Sequence, residues 1–210
     1  MGRWLSIAFV LTALAGCDPF LPDTGEPIIA TPLGRSTPKG VIDQLMDSYT
    51  GRRIDLFEDL FPDDKSFFRF YISPRLVETG SRIVTTSEQF DTLFTYVPQG
   101  VYYYWPYEDE HRSHQRIFSA ATSISISTQP VYDQRDFVYH YGPGGDTIGV
   151  EVLMLGGEIL IKVPDPVTPR QELWYYIVID RQVFYLVRDS ERNWVIKKWF
   201  DFGTSAGDPS

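Results

Sequence analysis

One cysteine in 210 residues leaves nothing for an internal disulfide, a CxxC redox pair or a cysteine-based zinc site. Histidine is almost as scarce, with three in the chain. His111 and His114 sit close together and His140 is remote, so no HExxH spacing exists and no third imidazole falls near the pair. Basic charge is also short, with 19 Lys and Arg against 28 Asp and Glu and a formal net charge of −9. Phosphate backbones are held by basic patches, so nucleic acid is not an expected partner. Direct adsorption of the folded part to anionic lipid is disfavoured on the same ground. Long apolar runs are missing too. The uncharged stretch from Trp4 to Ala15 is shorter than the ~20 residues a spanning helix requires.

What is present begins with that stretch. Arg3, the apolar run and the small residues Ala15 and Gly16 have the layout of an export signal. Leu14-Ala15-Gly16-Cys17 resembles the lipobox of bacterial lipoproteins, which implies cleavage after residue 16 and a lipid on Cys17. The expected partner of residue 17 is therefore a membrane, and the expected location is the cell envelope. Asp18-Pro19-Phe20-Leu21-Pro22-Asp23-Thr24-Gly25 breaks regular structure at once. With Pro27, Pro32 and Gly34 following, residues 17–37 read as a lipidated Cys and an extended tether.

A folded domain is expected over residues 38–202, with a polar tail at 203–210. Thr37 suits an N-cap and Pro38 the first helical position. Val41, Ile42, Leu45, Met46 and Tyr49 then make one apolar stripe, and Gly51 marks the end. Ile54, Phe57, Leu60 and Phe61 predict a second short helix, stopped by Pro62-Asp63-Asp64. Residues 67–72 read as a strand. A helix is predicted from Ser87 to Tyr96, with Phe90, Leu93 and Phe94 inward, and another from Tyr107 to Phe118. From Ala121 the period becomes alternating, and Ile124, Ile126 and Thr128 interleave with Ser123, Ser125 and Ser127. Ile148, Val150, Val152 and Met154 give way to Ile159, Ile161 and Val163, so the apolar parity changes across Gly156-Gly157. A bulge bending one long strand is preferred there to a two-residue hairpin. Leu173–Val187 and Trp194–Phe200 complete a set of long strands. Helices first and strands after predict an α+β domain, with helices packed on a curved, mostly antiparallel sheet.

The opening helix, Gly51-Arg52-Arg53-Ile54-Asp55-Leu56-Phe57-Glu58-Asp59-Leu60-Phe61, Phe67-Phe68-Arg69-Phe70 and the closing Trp194-Val195-Ile196-Lys197-Lys198-Trp199-Phe200-Asp201 occur together. In this order they resemble the nuclear transport factor 2-like superfamily in its bacterial lipoprotein form. The superfamily includes ketosteroid isomerase, scytalone dehydratase and polyketide cyclases. The resemblance spans residues 38–201 and implies a cone with an apolar cavity, used for catalysis, for binding, or for neither. It also implies a possible homodimer through the outer sheet face. Residues 76–100 and 129–146 look inserted relative to that pattern.

No spacing singles out a catalytic set. Tyr49, Tyr71, Tyr175 and Asp180 are residue types that could serve isomerase chemistry, but among 13 tyrosines such types are expected in any core. Glu110, His111 and His114 read as a solvated helix face rather than a metal site. Gly142-Pro143-Gly144-Gly145 lacks the Lys-Ser/Thr ending of a phosphate loop and reads as a turn. The ring-dense run Tyr102-Tyr103-Tyr104-Trp105-Pro106-Tyr107 is the one candidate ligand contact, with Tyr102, Tyr104, Trp105 and Tyr107 as a lip on the cavity. No cofactor is implied. The expected activity is binding of a small apolar or aromatic ligand, or of an envelope protein. The alternative is an isomerase, dehydratase or hydrolase acting in a small cavity.

Overall fold

The computed structural model describes residues 34–72, 86–90, 94–168 and 170–202. The export signal, Cys17, most of the tether and the tail at 203–210 lie outside the described residues. After a short turn at Gly34–Ser36, helix α1 runs from Pro38 to Gly51. Thr37 caps it as expected, its hydroxyl accepting from the Gly40 amide at 3.1 Å. The stripe Val41, Ile42, Leu45, Met46 and Tyr49 is buried. The helix stops one residue later than the glycine rule suggests, with Arg52 in the left-handed region at φ 51°. Asp43, on the polar side, accepts from the Tyr132 hydroxyl at 2.7 Å and pairs with Lys39. Helix α2 is Ile54–Glu58 and helix α3 is Tyr107–Ala120.

Ten strands are described: β1 Arg69–Tyr71, β2 Ser87–Phe90, β3 Gly100–Trp105, β4 Ser123–Thr128, β5 Phe137–Tyr141, β6 Thr147–Leu155, β7 Glu158–Pro164, β8 Glu172–Val178, β9 Arg181–Arg188 and β10 Trp194–Asp201. They form a seven-stranded sheet in the order β2-β3-β1-β10-β9-β6-β5 and a three-stranded sheet in the order β4-β7-β8. Pairing is antiparallel apart from β1 with β10. The expected α+β architecture, a few helices on a large curved antiparallel sheet, is therefore the one observed.

The expected helix at 87–96 is not formed over its first residues. Ser87–Phe90 is strand β2, paired with Tyr103 to Gly100 of β3. Phe90, Leu93 and Phe94 do fall at helical spacing, but a long aromatic strand nearby offers cross-strand ring contacts that local propensity does not see. Phe90 packs edge-on against Tyr71, Tyr102 and Phe200.

The two sheets are one bent ribbon. Strand β6 pairs with β9 from Val150↔Leu186 to Leu155↔Arg181, and β7 pairs with β8 from Glu158↔Val178 to Pro164↔Glu172. The register is the same on both sides of the bend. Backbone bonds carry the ladder through it, from the Gly156 amide to the Asp180 carbonyl and from the Ile179 amide to the Gly157 carbonyl. The expected bend is therefore present, without an inserted residue against this partner and without a hairpin between β6 and β7. The left-handed φ values of Gly156 (63°) and Gly157 (138°) make the corner. They also turn the buried parity from Val150, Val152 and Met154 to Ile159 and Ile161. Each face of the larger sheet is covered. One carries the helices over a core containing Leu45, Phe57, Phe118, Phe184 and Trp199. The other carries a smaller cluster of Tyr71, Phe90, Val97, Tyr102, Val183 and Phe200.

Gly157→Ala tests the corner. A Cβ there would sit 3.0 Å from Cβ of Pro130, on a backbone that side-chain-bearing residues rarely adopt. The expected cost is about 1–3 kcal/mol in chemical denaturation. A midpoint equal to wild type would show that the bend does not depend on this backbone.

Candidate functional site

Helix α3 carries two neighbouring stripes. Glu110, His114 and Phe118 point into the core, while Ile117 and Ala120 turn toward the small sheet. The first stripe meets the other helices and β10 at the His114 ring. This ring stacks on Phe57 with centroids 4.1 Å apart. It meets Tyr49 and Phe118 edge-on and lies 6.1 Å from Trp199. Its Nδ1 is 3.0 Å from the Glu110 carbonyl oxygen and 3.3 Å from the Glu110 carboxylate, and its Nε2 bonds the Tyr49 hydroxyl. A carbonyl can only accept, so Nδ1 carries the proton and Tyr49 donates to a bare Nε2. Burial pushes the imidazole pKa down to about 4, and burial followed by the nearby Glu110 charge pushes the Tyr49 phenol well up. Both groups are neutral.

The expectation of a solvated face at 110–114 is thus corrected for two of its three residues. Glu110 and His114 are buried at 3% and 5% exposure. His111 is half-buried and turns away to the Glu58 carboxylate at 2.6 Å. The spacing Glu110, His114, Phe118 was the available signal. A helix with so few apolar residues must bury that stripe if it packs at all.

The second stripe lines an open apolar groove of about 360 Å³ between α3 and the three-stranded sheet. Its walls are Ile117 and Ala120 from the helix and Ile161, Val163, Tyr175 and Ile177 from β7 and β8, with Arg116 at the rim. The groove lies beside the His114 node, and rings fill the space around that node. Among the residues lining the groove there is no carboxylate and no histidine, so what this surface offers is apolar contact, one phenol and one guanidinium.

The ring-dense segment is placed differently. Tyr102, Tyr104 and Trp105 belong to β3, whose alternation divides them between the two faces of the sheet. Tyr102 is buried in the smaller cluster, and its hydroxyl donates to the Pro98 carbonyl at 2.9 Å. Tyr104 is half-buried, with the Arg69 guanidinium 4.8 Å from its ring centre. Trp105 is half-buried opposite Phe70. Tyr107, at the start of α3, stacks on His111 and meets Phe61 edge-on. None of the four lines the groove, which lies toward the other end of α3.

A second buried carboxylate, unseen in the sequence reading, is Glu151 on β6. It accepts from the Thr95 and Tyr96 amides, each at 2.9 Å, and from His140 Nε2 at 2.7 Å. It ties the chain around residue 95 to the sheet. Tyr71, Glu88 and Lys198 form a further network, in which the Tyr71 hydroxyl donates to Glu88 at 2.6 Å and Lys198 donates to both.

The His114 node sets a pH dependence of stability. The folded chain keeps His114 neutral down to about 4, whereas an ordinary imidazole takes its proton near 6.5. Between those values the unfolded chain binds more protons, so stability is full above 6.5 and falls as the pH drops toward 4. The denaturation midpoint of wild type should therefore fall more steeply over this window than that of His114→Gln. Equal slopes would contradict a buried neutral imidazole.

No family model and no curated protein matches the sequence. Among solved structures, the chain is similar to the Kfla4162 protein from Kribbella flavida, at 12% identity and a TM-score of 0.50, over 86% of this chain and 95% of that one. It is also similar to a nuclear transport factor 2 (NTF2-like) superfamily protein from Salmonella enterica serovar Typhimurium, at 12% identity and a TM-score of 0.41, over 79% and 87% of the two chains. At such identities the likeness to the Kribbella flavida protein is one of fold, an α+β chain of helices on a curved sheet.

Proposed function

We propose that this chain is a lipid-anchored envelope protein whose nuclear transport factor 2-like domain binds a small apolar or aromatic ligand without transforming it. The groove between α3, β7 and β8 carries the proposal. Its volume of about 360 Å³ falls in the range of small-molecule sites. Ile117, Val163, Tyr175 and Ile177 are only partly buried there, so a ligand would gain their remaining apolar surface. The absence of catalysis is supported by what the interior does with its ionisable groups. Tyr49 and His114 bond to each other, Phe57, Phe118 and Trp199 surround the imidazole, and none of these residues lines the groove. The isomerase, dehydratase or hydrolase alternative needs a carboxylate or imidazole at the bound ligand, and the groove supplies neither.

Anchoring rests on Leu14-Ala15-Gly16-Cys17. Labelling with a radioactive fatty acid should mark wild type and not Cys17→Ser, and equal labelling of both would end the lipoprotein reading.

Native mass spectrometry of the protein extracted from envelopes tests the groove. Wild type should retain an apolar small molecule, and Val163→Arg, which puts a charge on the groove wall, should lose it. Trp105→Ala separates this site from the ring-dense lip of β3 and should leave the ligand bound. Retention by Val163→Arg with loss in Trp105→Ala would move the site to the lip.

A further inference from the structure

The groove between α3, β7 and β8 has an apolar wall throughout. Tyr175 lends it a ring, and Arg116 lends the methylene stem of its side chain while the guanidinium stays at the rim. A polar group of a ligand seated against that wall would lose water without gaining a partner. Whatever polar group the ligand bears therefore lies at the mouth, where the charge is that of Arg116.

Arg116 is exposed, and its helix gives it no counter-charge. The residues three and four away along α3 are Arg112, Ser113, Ser119 and Ala120. Arg112 pairs with Asp109 at 3.3 Å, and Arg52 gives its guanidinium to the Ala121 carbonyl at 2.5 Å. Arg116 has no carboxylate partner among the described residues. The strands across the groove supply none, since Ile161, Val163, Tyr175 and Ile177 stand there. Lys162 of β7 turns to the opposite face of the small sheet, 4.7 Å from the centre of the Trp174 ring. The mouth thus offers one unmatched cation. The groove is also short. Tyr175 and Ile177 span ~7 Å of strand, and Ile117 to Ala120 span ~4.5 Å of helix. About 360 Å³ over that length fits one ring or a medium alkyl chain rather than a long acyl tail.

We propose that the ligand of this groove is a monocarboxylate amphiphile, with an aryl or medium-length alkyl body on the apolar wall and its carboxylate in the fork of the Arg116 guanidinium. The assignment rests on the groove being the ligand site. A guanidinium meets a carboxylate through two parallel hydrogen bonds, which a neutral amide does not reproduce. A phosphate dianion would leave its second charge without a cation, because Arg112 and Arg52 are engaged and Lys162 faces away. A net charge of −9 on the chain also repels a polyanion. A cationic amphiphile would meet Arg116 with like charge.

Calorimetric titration of the full chain in lipid nanodiscs, with empty nanodiscs as the blank, tests the head group. Octanoate and phenylbutanoate represent the alkyl and aryl bodies, octanamide and phenylbutanamide the neutral heads, and octyl phosphate the dianion. Each carboxylate should bind about fivefold tighter than its amide, ~1 kcal/mol for an ion pair at an open rim, and the tighter of the two identifies the body. Added salt should shrink this preference. Arg116→Gln should erase it and leave amide affinity unchanged, whereas Arg116→Lys should keep part of it. Ala120→Phe, which fills the groove from an exposed helix position, should abolish binding of every probe. Equal affinity for carboxylate and amide, a preference that survives Arg116→Gln, or tighter binding of octyl phosphate would overturn the assignment while the groove remains a ligand site. Carboxylate binding undiminished in Ala120→Phe, or no binding of any probe by wild type, would overturn both.

Discussion

The imidazole of His114 is the point on which the helices and the large sheet converge. Tyr49 of α1 donates to it, Phe57 of α2 stacks on it, and Phe118 of its own helix and Trp199 of β10 lie around it. A polar ring in such a place needs a partner on each nitrogen, and it stays uncharged here because burial outweighs the Glu110 carboxylate 3.3 Å from Nδ1. The Glu110 carbonyl and the Tyr49 hydroxyl are those partners, and burial holds the pKa near 4. Replacing one partner would leave a buried group unpaired, so the arrangement fixes the relative positions of α1 and α3 more tightly than ring packing alone.

With that space filled by side chains, the apolar groove lies at the end of the helix layer, between α3 and the three-stranded sheet. The glycine corner at 156–157 produces that groove. It keeps β6/β7 and β8/β9 in one register while reversing which residues face inward. Ile161 and Ile177 are thereby swung under Ile117 and Ala120 of α3, and the gap between them is the groove. The same corner detaches β8 from the large sheet and leaves its outer side without a partner among the described residues. Groove and open edge are two consequences of one bend.

Much of this was legible in the sequence wherever the local signal and the tertiary demand agree. Thr37-Pro38 and the stripe ending at Tyr49 define α1 to within a residue, because cap and periodicity say the same thing. The parity change across Gly156-Gly157 announced the bend. Local periodicity places Ser87–Phe90 in a helix, whereas its strand pairing is set by Tyr103 to Gly100, a contact that residues 87–96 alone do not contain. The tyrosine run looked like one patch, but strand alternation sends Tyr102 and Tyr104 to one face and Trp105 to the other. His114 looked solvated because charged neighbours surround it in sequence, although its spacing with Glu110 and Phe118 already placed it on the inward stripe. The groove had no sequence signature, since Ile117, Ile161, Val163 and Ile177 read equally well as core.

The state of His114 is the most direct test of a sealed interior beside an open groove. Nitrogen-15 NMR of the imidazole across a pH titration reads both the tautomer and the pKa. A neutral ring protonated at Nδ1, titrating near 4, is the expected result. A ring protonated at Nε2, or one that titrates at the ordinary value of 6.5, would mean that water reaches the node and would contradict the sealed interior.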